Sequence, residues 1–167
     1  MKKEEFFPLV NEEGKVIGKA TRSQCHNGSK VLHPVIHLHI FNSAGELFLQ
    51  KRAQTKDIQP GKWDTAVGGH IDWGETVEEA LYREAREELG IEAFNPIPIG
   101  KYLFESEIER ELVYSFKTNY DGPFQIDPIE LEDARFWSLE EIIDQIGKGI
   151  FTPNFENEYK RLLSIEK

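Results

Sequence analysis

Three carboxylates with metal-binding spacing lie in the segment LYREAREELGI. Glu84, Glu87 and Glu88 follow one another at i, i+3 and i+4, so a helix would bring their side chains together. Glu84 and Glu88 fall within about 20° of Val77, at the edge of an apolar stripe rather than on the solvated side. Buried carboxylates need a partner, and three hard oxygen donors suit Mg²⁺ or Mn²⁺. The spacing therefore predicts a metal-binding helix.

The sequence also predicts where this helix begins and ends. Thr76 and Glu79 have the spacing of a capping box, which opens the helix after Thr76. Gly90 suits the left-handed position that ends a helix. An apolar stripe at i, i+4 spacing begins at Leu81 and ends at Leu89, so we expect the helix to pack on a core through this stripe.

Composition limits the classes of protein to which the chain can belong. It has 167 residues, 39% of them hydrophobic, and no apolar run near the roughly 18 residues of a membrane span. The net charge of −10 argues against nonspecific nucleic-acid binding, which needs a basic surface. The N-terminus lacks the apolar segment of a secretory signal, and the single cysteine, Cys25, fits a reducing compartment. We therefore expect a cytoplasmic protein with no membrane and no nucleic-acid partner.

The rest of the chain intersperses strand patterns with helix patterns. The strand patterns fall at residues 6–22 (two strands and a turn), 31–41, 46–52, 97–104, 111–120 and 134–137. Ser138 with Glu141, and Thr152 with Pro153, open two later helices. We expect one α/β sandwich with a mixed sheet.

The segment from Gly69 to Ile91 matches a family motif at every fixed position. The Nudix box is a glycine, five residues, a glutamate, seven residues, and then Arg-Glu-apolar-x-Glu-Glu-x-Gly-apolar. Its positions are filled by Gly69, Glu75, Arg83, Glu84, Ala85, Glu87, Glu88, Gly90 and Ile91. The chain thus resembles the Nudix hydrolases, which implies an α/β/α sandwich with a mixed β-sheet and a loop-helix-loop box. We expect one Nudix domain over residues 1–167, with a core at about 28–165 after a hairpin and connector at 6–27.

A second resemblance runs from about Gly18 to Gly90 and involves three histidines. It is carried by IGKATRSQCHNGSKVLH, FN-x-x-G, QKRAQTK, PGKW and GGH. These segments are similar to those of the type 1 isopentenyl-diphosphate isomerases, a Nudix branch that holds a metal with three histidines and two glutamates. The matching residues are His26, His33, His70, Glu109 and Glu111. The resemblance implies a second metal site, which would tolerate Mn²⁺, Mg²⁺ or Zn²⁺.

The same resemblance implies a side of the site that binds diphosphate. Arg22, Arg52 and Lys56 fall at basic positions that grip diphosphate in the isomerases, and arginine can hold phosphate through two donors at once. The alternative interpretation is three ordinary surface cations. His37 and His39 match no isomerase position, and we interpret them as structural residues of their strand.

Two departures separate the chain from the isomerases. The isomerases need a cysteine two residues before the third histidine, and this chain has Gly68 at that position. Glycine has no side chain that could transfer a proton. Cys25 is distant in sequence and does not simply replace it. The isomerases also put arginine and an aromatic residue where this chain has Glu84 and Glu87. Both departures favour hydrolysis.

We expect hydrolysis of a diphosphate linkage in a nucleoside diphosphate derivative or a related organic pyrophosphate. Mg²⁺ or Mn²⁺ held by the three glutamates of the helix would neutralise the phosphates and acidify the attacking water. Arg52 or Lys56 would stabilise the leaving phosphate. Arg83 would orient the acidic cluster with Glu75 as its partner, and Gly69 would offer its carbonyl as a ligand, as the family pattern implies.

More than one residue could serve as the general base, and more than one function fits the sequence. Glu84 is the base candidate inside the box. Rival bases on later segments are Glu109, Glu111, Glu130 and Glu132. The alternative functions are an isopentenyl-diphosphate isomerase and a noncatalytic sensor of a nucleotide-type ligand. The expected partner is a small-molecule diphosphate, and the sequence indicates no particular oligomeric state.

Overall fold

Nine strands and four α-helices form the described part of the chain, residues 5–55 and 59–163 of a computed structural model. The strands are β1 Phe6–Val10, β2 Val16–Thr21, β3 Leu32–Phe41, β4 Leu47–Arg52, β5 Trp63–Thr65, β6 Val67–His70, β7 Ile97–Glu105, β8 Arg110–Asn119 and β9 Leu131–Trp137. The helices are α1 Arg22–Cys25, α2 Val77–Leu89, α3 Leu139–Gln145 and α4 Pro153–Glu158, followed by a π-helical segment at Tyr159–Leu163. Within these residues, no helix is long and apolar enough to cross a membrane.

Seven strands form one mixed sheet with two halves. In one half, β3 pairs in parallel with β8 along its whole length and antiparallel with β6. In the other half, β4 pairs antiparallel with β5 and β9. β3 and β4 pair with each other only at Phe41 and Leu47, next to the turn that joins them. A cleft is lined by both halves where these two central strands are not paired.

Helices cover both faces of this sheet. Because side chains alternate along β3, Ile36 and Ile40 share one face, and they pack there in the same core as Leu81 of α2. On the opposite face, Leu47 of β4 shares a core with Phe155 of α4. The result is the predicted α/β/α sandwich with a mixed sheet, and the acidic helix borders the cleft.

The helix α2 begins and ends where the sequence predicts. Thr76 accepts a hydrogen bond from the Glu79 amide, and the Glu79 carboxylate accepts one from the Thr76 amide. Gly90 ends the helix with φ of 69°, a conformation that glycine adopts without a Cβ penalty. The sequence prediction missed α1, β5 and β6, because elements of three or four residues are too short to show a periodicity.

The N-terminal hairpin of β1 and β2 packs beside the starts of β3 and β8. Val10 shares a small core with Leu32 and Leu112, while Phe7 packs with Cys25. This packing places α1 and the residues after it beside the cleft.

Candidate active site

The cleft has a volume of about 660 Å³ and a strongly acidic lining. Ten carboxylates and three arginines line it. They come from the residue before β1, from α1, from both halves of the sheet and the residue before β8, from α2 and the loop before it, and from the segment before β9. Such a lining repels an anion unless a cation accompanies it, since a bound metal ion reverses the local field.

Arg83 holds the carboxylates of the box in place. Its Nε and Nη2 donate to the two oxygens of Glu75 at 2.6 and 2.8 Å, which is the pairing expected from the sequence. Its Nη1 donates to Glu84 at 2.6 Å and to Glu87 at 3.3 Å. Its Nη2 also donates to the backbone carbonyl of His70 at 3.0 Å. One guanidinium therefore joins the loop before α2 to the acidic side of that helix.

The three glutamates of α2 differ in their surroundings. The side chain of Glu84 is 15% exposed and that of Glu87 is 55% exposed. Gln50 donates to Glu88 Oε1 at 3.1 Å, whereas Glu88 Oε2 is buried without a hydrogen-bond partner among the described residues. Burial, followed by the neighbouring Glu84 carboxylate, raises the pKa of Glu88 well above its ordinary value. A buried oxygen without a partner, beside a second carboxylate, fits a bound cation.

Gly69 allows Glu84 to approach the sheet. A Cβ at residue 69 would lie 2.7 Å from Glu84 Cγ and closer still to its carboxylate, so any side chain there would displace Glu84. The glycine of the box thus has a packing role in this structure. Metal binding by its carbonyl stays a prediction.

A second cluster collects the residues that the isomerase resemblance singled out. His26 Nε2 lies 3.1 Å from His70 Nε2 and 3.1 Å from a Glu109 oxygen. His33 Nε2 lies 3.8 Å from a Glu111 oxygen. The ligand atoms of His26, His33 and His70 lie within 4.8 Å of one another, as do those of His33, Glu109 and Glu111. Residues far apart in sequence therefore come close enough together that they could hold a metal ion.

The surroundings of this second cluster favour neutral imidazoles. His33 Nδ1 lies 3.1 Å from the carbonyl oxygen of Val31, which assigns the ring proton to Nδ1 and leaves Nε2 as the acceptor. Within the described residues, His33 Nε2 is buried without a hydrogen-bond partner. Burial lowers the pKa of His33 and, more strongly, that of His70, whereas it raises the pKa of Glu111 to about 7, with the charge of Glu109 adding to the effect. Neutral imidazoles with free lone pairs fit a metal ion.

The predicted phosphate-binding cations are only partly within the described residues. Arg22 lines the cleft, and its Nη1 lies 2.9 Å from a Glu5 oxygen. Arg52 also lines the cleft, with its Nη1 3.7 Å from an Asp64 oxygen. Lys56 lies outside the described residues. Phosphate binding by these cations stays a prediction.

The rival bases Glu130 and Glu132 and the cysteine Cys25 differ in whether they reach the cleft. Glu130 lines the cleft, whereas Glu132 lies 2.6 Å from Lys51 Nζ and is not part of the lining. Cys25 is fully buried, and burial, with a contribution from Glu109, raises the pKa of its thiol to about 11. A buried neutral thiol does not supply the proton transfer that the isomerases assign to their cysteine.

Sequence reasoning missed Gln50 and Asp72. Gln50 holds Glu88 and also donates to the Ala66 carbonyl at 3.0 Å, while Asp72 lies 3.4 Å from Arg83. Gln50 did leave a signal, because a polar residue that directly follows the apolar run LFL in a strand needs a partner.

The fold and the acidic cleft define a protein of the Nudix class, and comparisons with known proteins agree. A model of the NUDIX domain matches residues 31–155. An uncharacterized Nudix hydrolase of Yersinia pestis is 31% identical over 150 residues, which cover 90% of this chain and 81% of that protein. The chain therefore belongs to the NUDIX domain family, and its similarity to Nudix hydrolases supports an enzyme that acts on pyrophosphate bonds.

Two further relatives are similar over most of the chain. An isopentenyl-diphosphate delta-isomerase of Enterobacter sp. (strain 638) is 30% identical over 146 residues, which cover 84% of this chain and 80% of that protein. The crystal structure of DR0079 from Deinococcus radiodurans has a TM-score of 0.82 at 25% identity and covers 95% of this chain and 99% of that chain. The predicted similarity to both hydrolases and isomerases is confirmed.

Proposed function

We propose that the protein hydrolyses a diphosphate linkage in a nucleoside diphosphate derivative or a related organic pyrophosphate, with Mg²⁺ or Mn²⁺ at Glu84, Glu87 and Glu88. The observation that carries this proposal is Glu88 Oε2, which is buried beside Glu84 and has no hydrogen-bond partner among the described residues. Gln50 holds the other oxygen of this carboxylate, Oε1. A divalent cation there would neutralise phosphate charge and acidify the attacking water.

The residues around the cation have separate roles. Arg83, through its paired hydrogen bonds with Glu75, keeps Glu84 turned toward the cleft. Glu84 is the first candidate to accept the proton of the attacking water. Its rivals in the cleft lining are Glu109, Glu111 and Glu130. Arg22 and Arg52, together with Lys56, would bind the phosphates that the metal leaves exposed.

We further propose that His26, His33, His70, Glu109 and Glu111 hold a second metal ion. The buried His33 Nε2, which has no hydrogen-bond partner in the part of the chain that the structure describes, supports this second site. An imidazole-rich set favours a transition metal over Mg²⁺, so Mn²⁺ suits both sites. The expected partner remains a small molecule, and the expected compartment remains the cytoplasm.

Isomerisation of isopentenyl diphosphate is the second candidate, because the histidine cluster matches the metal set implied for the isomerases. Gly68 and the buried Cys25 argue against it, since neither offers a proton-transferring group to the cleft. The complete set of box carboxylates likewise supports catalysis over a sensor role.

A panel of nucleoside diphosphate derivatives, incubated with Mg²⁺ or Mn²⁺, tests the proposal through released phosphate or mononucleotide. Glu88→Gln should lower turnover by about 10²-fold or more, because it removes charge where the cation binds. Glu78→Gln is the matched control, since Glu78 is exposed in the first turn of the same helix. Unchanged turnover in Glu88→Gln would exclude the metal assignment. Proton exchange into isopentenyl diphosphate would instead support the isomerase.

A further inference from the structure

His37 has one ring edge in the cleft, although the sequence predicts a structural role for it. It lies in β3 opposite Gly68 of β6, and its side chain is 15% exposed at the cleft wall. A Cβ at residue 68 would lie 3.5 Å from His37 Cδ2 and 3.9 Å from Nε2, so this ring edge borders residue 68. Since Gly68 is exposed and has no side chain, it leaves the edge open to the cleft.

The other ring edge of His37 is fixed by a buried carboxylate. His37 Nδ1 lies 2.7 Å from Oε1 of Glu158, the last residue of α4, which is fully buried. Ser115 donates to the same carboxylate at 2.7 Å, and Tyr102 and His39 also hydrogen-bond to it. The ring therefore has a defined orientation.

The two histidines of this network differ in access. The side chain of His39 is 0% exposed, and it contacts the same carboxylate from inside the fold. Among the described residues that hydrogen-bond to Glu158, only His37 lies in the cleft lining. The structural interpretation therefore suits His39, whereas His37 is available to a ligand.

The charge of His37 follows from its neighbours. Burial by itself lowers the pKa of the imidazole, but the charge and the hydrogen bond of Glu158 outweigh it and raise the pKa of His37 to about 9. Glu111 of β8 and Asp64 of β5 act in the same direction, and Tyr102 of β7 remains neutral because burial and Glu158 raise the pKa of its phenol. The charged ring donates Nδ1–H to Glu158 and presents Nε2–H to the cleft.

We propose that His37 binds a phosphate oxygen of the diphosphate substrate through Nε2–H, that Glu158 positions its ring, and that Gly68 keeps the approach open. This assignment rests on the proposed function, because it takes the substrate of the same cleft. His37 is thus a substrate-binding residue and Glu158 a positioning residue. A charged donor on the cleft wall offsets part of the repulsion that the acidic lining exerts on a phosphate.

The wild-type protein gives the first test, by ¹⁵N–¹H spectroscopy of its imidazoles with Mg²⁺ and methylenediphosphonate, a diphosphate that cannot be hydrolysed. We expect the His37 Nε2 resonance to shift at saturation while the resonances of His39 stay in place. His37 resonances that do not move at saturation would overturn the proposal. This measurement needs no variant, so it decides the question even if substitutions impair folding.

Calorimetric binding of Mg²⁺–methylenediphosphonate to variants gives the second test. His37→Asn should raise Kd about tenfold, the effect of losing one hydrogen bond from a charged donor. His39→Asn is the matched control, because it alters the same Glu158 network away from the cleft, and its Kd should stay within about twofold. Gly68→Ala should weaken binding several-fold, since its Cβ would stand beside the open ring edge. Equal weakening by His37→Asn and His39→Asn would refute a direct contact.

Binding and turnover separate this inference from the proposed function. If no diphosphate in the panel is hydrolysed but His37→Asn weakens methylenediphosphonate binding, the site assignment holds and the hydrolase assignment fails. If the panel is hydrolysed and the Kd of His37→Asn equals that of the wild type, only the His37 assignment fails.

Discussion

Replacing Gly69 by alanine tests whether the position of Glu84 controls catalysis. The added Cβ would lie 2.7 Å from Glu84 Cγ, and ordinary carbon contacts begin near 3.5 Å, so the Glu84 side chain must move by roughly 1 Å. The backbone of Gly69 is paired with Ile36 in the sheet, which leaves the side chain as the part that moves. The 2.6 Å hydrogen bond from Arg83 to Glu84 would then lengthen or break.

The displacement of Glu84 should lower kcat/KM far more than it lowers stability. A misplacement of about 1 Å in a catalytic group costs on the order of 100-fold in rate, so kcat/KM of Gly69→Ala should fall by about that factor. The stability change should be smaller, about 1–2 kcal/mol, because one charged hydrogen bond is perturbed. Part of that cost is offset by roughly 0.5 kcal/mol, since alanine loses less conformational freedom than glycine in a strand.

The assay is mononucleotide release with Mg²⁺ on the best substrate of the panel, beside urea unfolding of each variant. Gly18→Ala is the matched control, because Gly18 lies in β2 and its added Cβ would meet only Leu9, at 3.8 Å. The control should keep kcat/KM within about twofold, since that contact costs little. A folded Gly69→Ala variant with kcat/KM close to the wild-type value would show that the position of Glu84 does not control catalysis.

The ion pair of Arg83, the cap of α2 and the charge of His37 each have a measurable consequence. Glu75→Gln replaces the charged partner of Arg83 and should lower kcat/KM by about 10- to 100-fold while the protein remains folded; a wild-type rate would contradict the positioning role. Thr76→Ala removes the N-cap of α2 and should lower the unfolding free energy in urea by about 1 kcal/mol, an effect that vanishes if the cap is not formed. The pKa of His37 rises on folding from 6.5 to about 9, so its stabilisation is present below pH 6.5 and is lost as pH rises through 9. The unfolding free energy should therefore fall by up to about 3 kcal/mol between pH 6 and pH 10, and Glu158→Gln should flatten that dependence; an equally steep dependence in this variant would contradict the pairing.

The helix α2 and its acidic side could be predicted from local sequence patterns. Capping at Thr76, termination at Gly90 and the i, i+4 stripe are local features, so they can be recognised without knowledge of the fold. The helical periodicity, which is also local, predicted that Glu84 and Glu88 lie on the core side of the helix. The motif match identified the family, and the family implied the sandwich, which the structure shows.

The distant residues that meet around that helix could be identified only from the folded chain. Gln50 reaches Glu88 across 38 positions of sequence, and His37 reaches Glu158 across 121. No local pattern encodes such contacts, because they depend on how β3, β4 and α4 pack in three dimensions. His37 and His39 therefore have the same interpretation when only the sequence is considered, whereas the pairing of β3 with β6 opens His37 to the cleft beside Gly68.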